Sequence, residues 1–120
     1  MIVVLSKVEV ACKLLEGIEA VRGEEEGKVT RTFLRKAFEL LDEVDSKEEF
    51  IINIGYMIAR KKGDDKIKFL KALMHHLEKE EGEWSKTREN LRGVLEYTIK
   101  IYTIRAELKE ELGEDLCTRR

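Results

Sequence analysis

Residues 85–112 read SKTRENLRGVLEYTIKIYTIRAELKEEL, and this stretch decides the fold class. Ser85 can cap its start and no breaker interrupts it. That predicts one helix of roughly 26 residues, ~39 Å long at a rise of about 1.5 Å per residue. Two apolar stripes overlap along it. Leu91, Leu95 and Tyr102 form one; Val94, Tyr97, Ile101, Ile104 and Leu108 form the other, with the 3-4 spacing of a coiled-coil seam. One stripe can fill the chain's own core while the other meets a second chain, where five buried side chains would yield on the order of 10 kcal/mol before ordering costs. Alternatively the helix runs through the centre of a bundle and both stripes are internal.

Working outward, the rest of the chain carries the same helical bias. Proline is absent from its 120 residues, and Glu, Lys, Leu, Ala, Ile and Arg, which lose little rotamer freedom in a helix, fill it. Helix four holds Ile67, Leu70, Leu73, Met74 and Leu77, begins at Asp64 and Asp65 after Gly63, and ends at Gly82. Helix three starts at the capping box Ser46-Lys47-Glu48-Glu49 and is apolar on most sides (Phe50, Ile51, Ile52, Ile54, Met57, Ile58), which makes it the candidate central helix. Helix two, residues 32–44, turns Leu34, Phe38, Leu41 and either Ala37 or Val44 inward and should pair with helix three. The first helix, residues 6–21, opens with the capping box Ser6-Lys7-Val8-Glu9 and presents Val8, Ala11, Leu14, Leu15 and Ile18 as one stripe. Residues 22–28, with two glycines around Glu24, Glu25 and Glu26, read as a mobile acidic loop.

The expectation is therefore all-α: a single domain, 1–120, built as a bundle of about five helices with a long C-terminal helix. Residues 1–27 form the first helix and acidic loop, 28–112 the helical core and 113–120 a tail. Charged residues make up 40% with both signs interspersed and a net of −2, a pattern of densely ion-paired helix faces found in many thermophile proteins. The apolar start, residues 1–5, is far short of the ~20 residues that cross a bilayer, and no secretory signal is evident. Cys12 and Cys117 lie at opposite ends with no further thiol or histidine at ligand spacing, so neither zinc nor a disulfide framework is expected. A reduced, cytoplasmic setting without membrane contact follows.

Candidate chemistry is sparse. His75 and His76 are adjacent, so on a helix they point about 100° apart and cannot share one metal. His76 with Glu80 and His75 with Glu78 have usable spacing, yet no second helix supplies a matching Glu-x-x-His, so no metal is expected and both imidazoles read as solvated surface groups. Asp42, Glu43 and Asp45 could be paired carboxylates for acid-base work, but they fit a solvated turn better. No phosphate-cradling glycine loop, nucleophile elbow or Cys-His arrangement is present. The chain is expected to be neither an enzyme nor a cofactor carrier.

Two basic clusters stand against this slightly acidic background. One comprises Lys28, Arg31, Arg35 and Lys36, with Arg31 and Arg35 on one helix face; the other comprises Arg60, Lys61, Lys62, Lys66, Lys68 and Lys71, diluted by Asp64 and Asp65. Together they could track a phosphate backbone without reading bases. Residues 29–36, VTRTFLRK, resemble the threonine then Leu-Arg-Lys start of the small helical subunit of type III-A CRISPR effector complexes. Residues 54–62, IGYMIARKK, resemble that family's helix with a tyrosine followed four residues later by an arginine. Residues 67–70 look like its next amphipathic helix, and residues 91–102 like its segment with an acidic residue and a closing tyrosine. The family often has glutamine where this chain has Lys61, and it has no clear counterpart of the first helix. The III-B small subunit is similar around Gly55 and residues 73–77.

What the resemblance implies is a non-catalytic antiviral-defence subunit stacked in copies along a guide–target duplex, beside other subunits of a ribonucleoprotein complex. Arg31, Arg35, Lys36, Arg60, Lys61 and Lys62 would contact the RNA backbone, with Lys66 beside them in the same basic cluster. Arg35 and Arg60 are the strongest single expectations because guanidinium grips phosphate bidentately. The rival reading is a protein-only helical dimer or adaptor, in which Val94, Tyr97, Ile101, Ile104 and Leu108 meet either a second copy in a homo-oligomer or another protein. Adaptor binding would survive high salt, whereas phosphate binding would fall steeply.

Overall fold

A computed structural model of the chain describes residues 6–112 and 116–118. Helix α1 spans Lys7–Leu14, α2 Arg31–Leu40, α3 Lys47–Arg60, α4 Asp64–Glu78 and α5 Trp84–Leu112, and a 3₁₀ turn, Leu116–Thr118, follows. The described residues contain no strand, so the all-α class stands. The apolar start (1–5) and residues 113–115 and 119–120 of the tail lie outside the described residues.

Helix starts follow local capping chemistry. At α1 the box is reciprocal: Ser6 Oγ accepts from the Glu9 N–H and the Glu9 carboxylate accepts from the Ser6 N–H, each at 3.1 Å. At α3, Ser46 Oγ accepts from the Glu49 N–H at 3.1 Å, but the Glu49 carboxylate accepts from the Asp45 N–H at 2.9 Å, one residue earlier than expected. Helix α2 begins before Thr32 because Thr30 Oγ1 accepts from the Phe33 N–H at 3.2 Å and satisfies one of the donors every helix start leaves open. Helix α1 is shorter than the stripe suggested. Gly17, at φ +74°, turns the chain away after Leu14, and Ile18 reaches the core from the loop.

The centre of the bundle is α5, not α3. Thr87, Leu91, Val94, Leu95, Thr98, Ile101 and Tyr102 are all buried along one broad face, and α1 and α2 pack onto it. The first stripe and the Val94 and Ile101 positions of the second thus merge into one internal surface. Val94 (0% exposed) and Ile101 (7%) belong to the chain's own core, so the five-residue seam is not a free face; Tyr97 and Leu108 remain exposed, and Ile104 is half-buried. Helical dihedrals also break at Leu108 (φ −121°, ψ 16°), where the seam would have ended. In α3 only the row Phe50, Ile54 and Ile58 is buried, while Ile52 and Tyr56 are 68% and 64% exposed. Helix α3 packs chiefly on α4, less on α2. The inner face of α4 is Phe69, Leu73 and Leu77; Ile67 and Met74, expected inside, are exposed, and Phe69 meets Phe33 edge to face at 5.7 Å.

Two long-range ties overturn expectations. Cys12 and Cys117 form a disulfide with their Cα atoms 5.6 Å apart. A separation of 105 residues hid this pair, because only the packing of α1 on α5 and the return of the 3₁₀ turn beyond Leu108 bring the thiols together. The acidic loop is tied down as well. The buried Tyr102 hydroxyl donates to the Val29 carbonyl and accepts from the Val21 N–H at 3.0 Å, and Arg22 donates to the Ala106 and Glu107 carbonyls at 3.1 and 3.2 Å. Gly63 completes this end. A Cβ there would stand 2.1 Å from the Gly27 carbonyl oxygen, so only glycine lets the α3–α4 turn touch the loop.

Candidate nucleic-acid interface

Residue spacing on α2 and α3 sets which basic groups meet. The buried face of α2 is Phe33, Leu34 and Ala37, so Lys36, three residues after Phe33, leans toward α3. Arg60 ends α3, Lys61 caps it, and Lys66 lies in the first turns of α4. These elements enclose a cleft of about 300 Å³ lined by Glu24, Thr30, Thr32, Phe33, Lys36, Met57, Arg60, Lys61 and Lys66. Lys66 Nζ donates to the Lys61 carbonyl at 3.3 Å and lies 5.5 Å from the Phe33 ring centroid, which holds it over the floor. The Arg60 guanidinium carbon lies 5.8 Å from the centroid of the exposed Tyr56 ring.

The four cations of this cleft form no ion pair with any described residue. Among the described residues no carboxylate lies within 4.0 Å of Lys36, Arg60, Lys61 or Lys66. Glu24, the single carboxylate of the lining, accepts from Thr30 Oγ1 at 3.4 Å. A concave site with cations of one sign and partly apolar walls focuses its field on an incoming anion.

The other expected contacts go elsewhere. Arg31 Nη2 pairs with Glu107 Oε2 at 3.1 Å. Arg35 lines a separate groove with Phe38, Glu39, Glu96, Ile99 and Lys100, because the Arg31–Arg35 row faces α5. Lys62 belongs to a third depression with Lys28, Asp64, Asp65 and Lys68. Four of the seven residues therefore converge, and Arg35 is not among them. Sequence reasoning did not assign Thr30, Thr32, Met57 or Tyr56 to the site; for Tyr56, its position one helical turn before Arg60 was a usable signal.

Two of the remaining polar candidates, Asp42 and His76, are taken up by the fold. Arg92 donates from both terminal nitrogens to Asp42, and this hydrogen bonding holds the Asp42 carboxyl below its ordinary pKa. His76 is not a solvated surface group: its side chain is 17% exposed, and burial holds its pKa below the ordinary 6.5. Its Nε2 stands 3.3 Å from Glu80 Oε1, which also accepts from Asn90 Nδ2 at 2.9 Å. Among the described residues, no group of three or more His, Cys, Asp or Glu could hold a metal ion, and no helix is long and apolar enough to cross a membrane. Comparison with known proteins adds no relative: no family model, curated protein or solved structure matches the chain.

Proposed function

We propose that this chain is a non-catalytic helical subunit of a ribonucleoprotein complex that grips the RNA backbone in the cleft between α2 and the α3–α4 turn. The observation that carries the reading is the convergence of Lys36, Arg60, Lys61 and Lys66 on one concave site without a paired carboxylate. In a chain where 40% of residues are charged, four cations left unpaired side by side repel one another unless an anion joins them. Phosphate diester supplies that anion, and Arg60 can take it bidentately. The sequence resemblance to type III CRISPR small subunits supports the same role and names a complex in which it would be played. A cytoplasmic setting is part of the proposal; intracellular disulfides are common in hyperthermophiles, whose charge-rich composition this chain shares.

The test is binding of the purified protein to labelled RNA across a salt series. Binding should weaken with salt, and Lys36→Ala with Arg60→Ala should lower affinity for every sequence and reduce the salt slope by about 0.7 for each phosphate contact removed. Arg35→Ala should leave both unchanged. Equal losses from Arg35→Ala and the double variant would place the contact in the groove between α2 and α5 and overturn the cleft.

A further inference from the structure

Helix α3 presents a second row beside the cleft. Ile52, Tyr56 and Arg60 follow one another at i, i+4 and i+8, so they share one face over about 12 Å. This face points away from the buried row Phe50, Ile54 and Ile58, and its apolar members are the two most exposed large hydrophobic side chains described. Burying Tyr56 and Ile52 in the protein would have been the cheaper use of such side chains. The row instead runs from an aliphatic group to an aromatic ring to a guanidinium at the cleft mouth.

We infer that the ligand of the cleft is a single strand whose unpaired base stacks on Tyr56 while its phosphate sits among Lys36, Arg60, Lys61 and Lys66. This rests on the cleft binding a nucleic-acid backbone and adds which form of nucleic acid it takes. In a duplex every base face is covered by its neighbours, so an exposed ring on α3 has nothing to stack on; a single strand offers a π-face at each nucleotide. A duplex is also a stiff rod, whereas the four cations converge in a concavity into which a flexible backbone can bend. Arg60 joins the two parts, since a guanidinium beside an aromatic ring keeps its donor edge free for phosphate. Ile52, one turn further on, extends the platform toward the next nucleotide. The resemblance noted above implies a guide–target duplex, so the two readings separate experimentally.

The experiment uses the full chain with three labelled probes of equal length at low salt: oligouridylate, the same strand with abasic sites, and an RNA duplex. The expected result is preference for oligouridylate over both others, with Tyr56→Ala reducing oligouridylate binding about tenfold and leaving abasic binding unchanged. Tyr56→Phe should restore binding, because stacking needs the ring and not the hydroxyl. Circular dichroism should show all variants folded, since Tyr56 is 64% exposed. Equal binding of oligouridylate and the abasic strand, with both lost in Lys36→Ala, Arg60→Ala, would overturn stacking and leave backbone binding intact. Tighter duplex binding, or equal loss of both strands on Tyr56→Ala, would also overturn it. No binding of any probe by the wild type would remove the cleft reading and this one together.

Discussion

The half of the molecule made by α1, α2 and α5 and the hairpin made by α3 and α4 differ in where their polar groups find partners. In the first half they close on the protein itself. Tyr102 holds the backbone at Val21 and Val29, Arg31 and Arg22 reach Glu107, Arg92 grips Asp42, and Cys12 is bonded to Cys117. On the hairpin, Arg60, Lys61 and Lys66 have no carboxylate partner among the described residues, and Ile52 and Tyr56 stand in solvent. Satisfied groups stabilise a fold and unsatisfied ones attract a ligand, so cohesion concentrates where α1 and α2 meet α5 and contact at the α3–α4 turn, with Lys36 of α2 reaching across to join it.

The comparison can be broken most directly at the disulfide. Cys12→Ser should cost about 4 kcal/mol, because the closed loop contains nearly the whole chain. Urea melts of oxidised and reduced protein check it; equal midpoints would show that α1 holds to α5 without the bond. Gly63→Ala should cost about 2 kcal/mol, since the neighbour that must move is the Gly27 backbone and not a flexible side-chain tip. Tyr102→Phe keeps the ring and strands the Val21 N–H and Val29 carbonyl, a loss of about 1–2 kcal/mol with faster amide exchange in the loop.

His76 sharpens the picture through pH. Burial lowers its folded pKa, so the unfolded chain takes up the proton first as pH falls through about 6.5. Its contribution is complete above that value and declines below it until the folded imidazole protonates too. His76→Gln should flatten thermal stability between neutral and mildly acidic pH. The smallest effect belongs to the contact half: Tyr56→Ala and Ile52→Ala should each change stability by no more than about 0.5 kcal/mol. A larger loss would mean that these side chains serve the fold, and the division between the halves would fail.

Much of this architecture is legible in the amino-acid sequence. The helices, the Ser6 and Ser46 caps and the buried trio Leu91, Leu95 and Tyr102 follow from spacing and hydroxyl chemistry, which are local. What failed depended on which way a face turns. Helix α3 is apolar on most sides, so composition could not say that Ile52 and Tyr56 face solvent. Phe69 was displaced from the α4 face in favour of Ile67 and Met74 because both rows have helical spacing. The site was half legible: Lys36, Arg60, Lys61 and Lys66 were named, but the pairing of Arg31 with Glu107 and the turning of Arg35 toward α5 are tertiary facts. The disulfide was invisible because α5 and the turn beyond it must fold before Cys117 comes near Cys12.

That bond has a further consequence for the connectivity of the molecule. Between Cys12 and Cys117 the covalent structure is a ring, and every helix from α2 to α5 lies inside it. A protease that cuts once in the loop at residues 22–28, or at the turn around Gly63, opens the ring without releasing a piece. The two fragments should run as one species on a non-reducing gel and separate only when a thiol is added, and the nicked protein can keep its helices docked as a single covalent body.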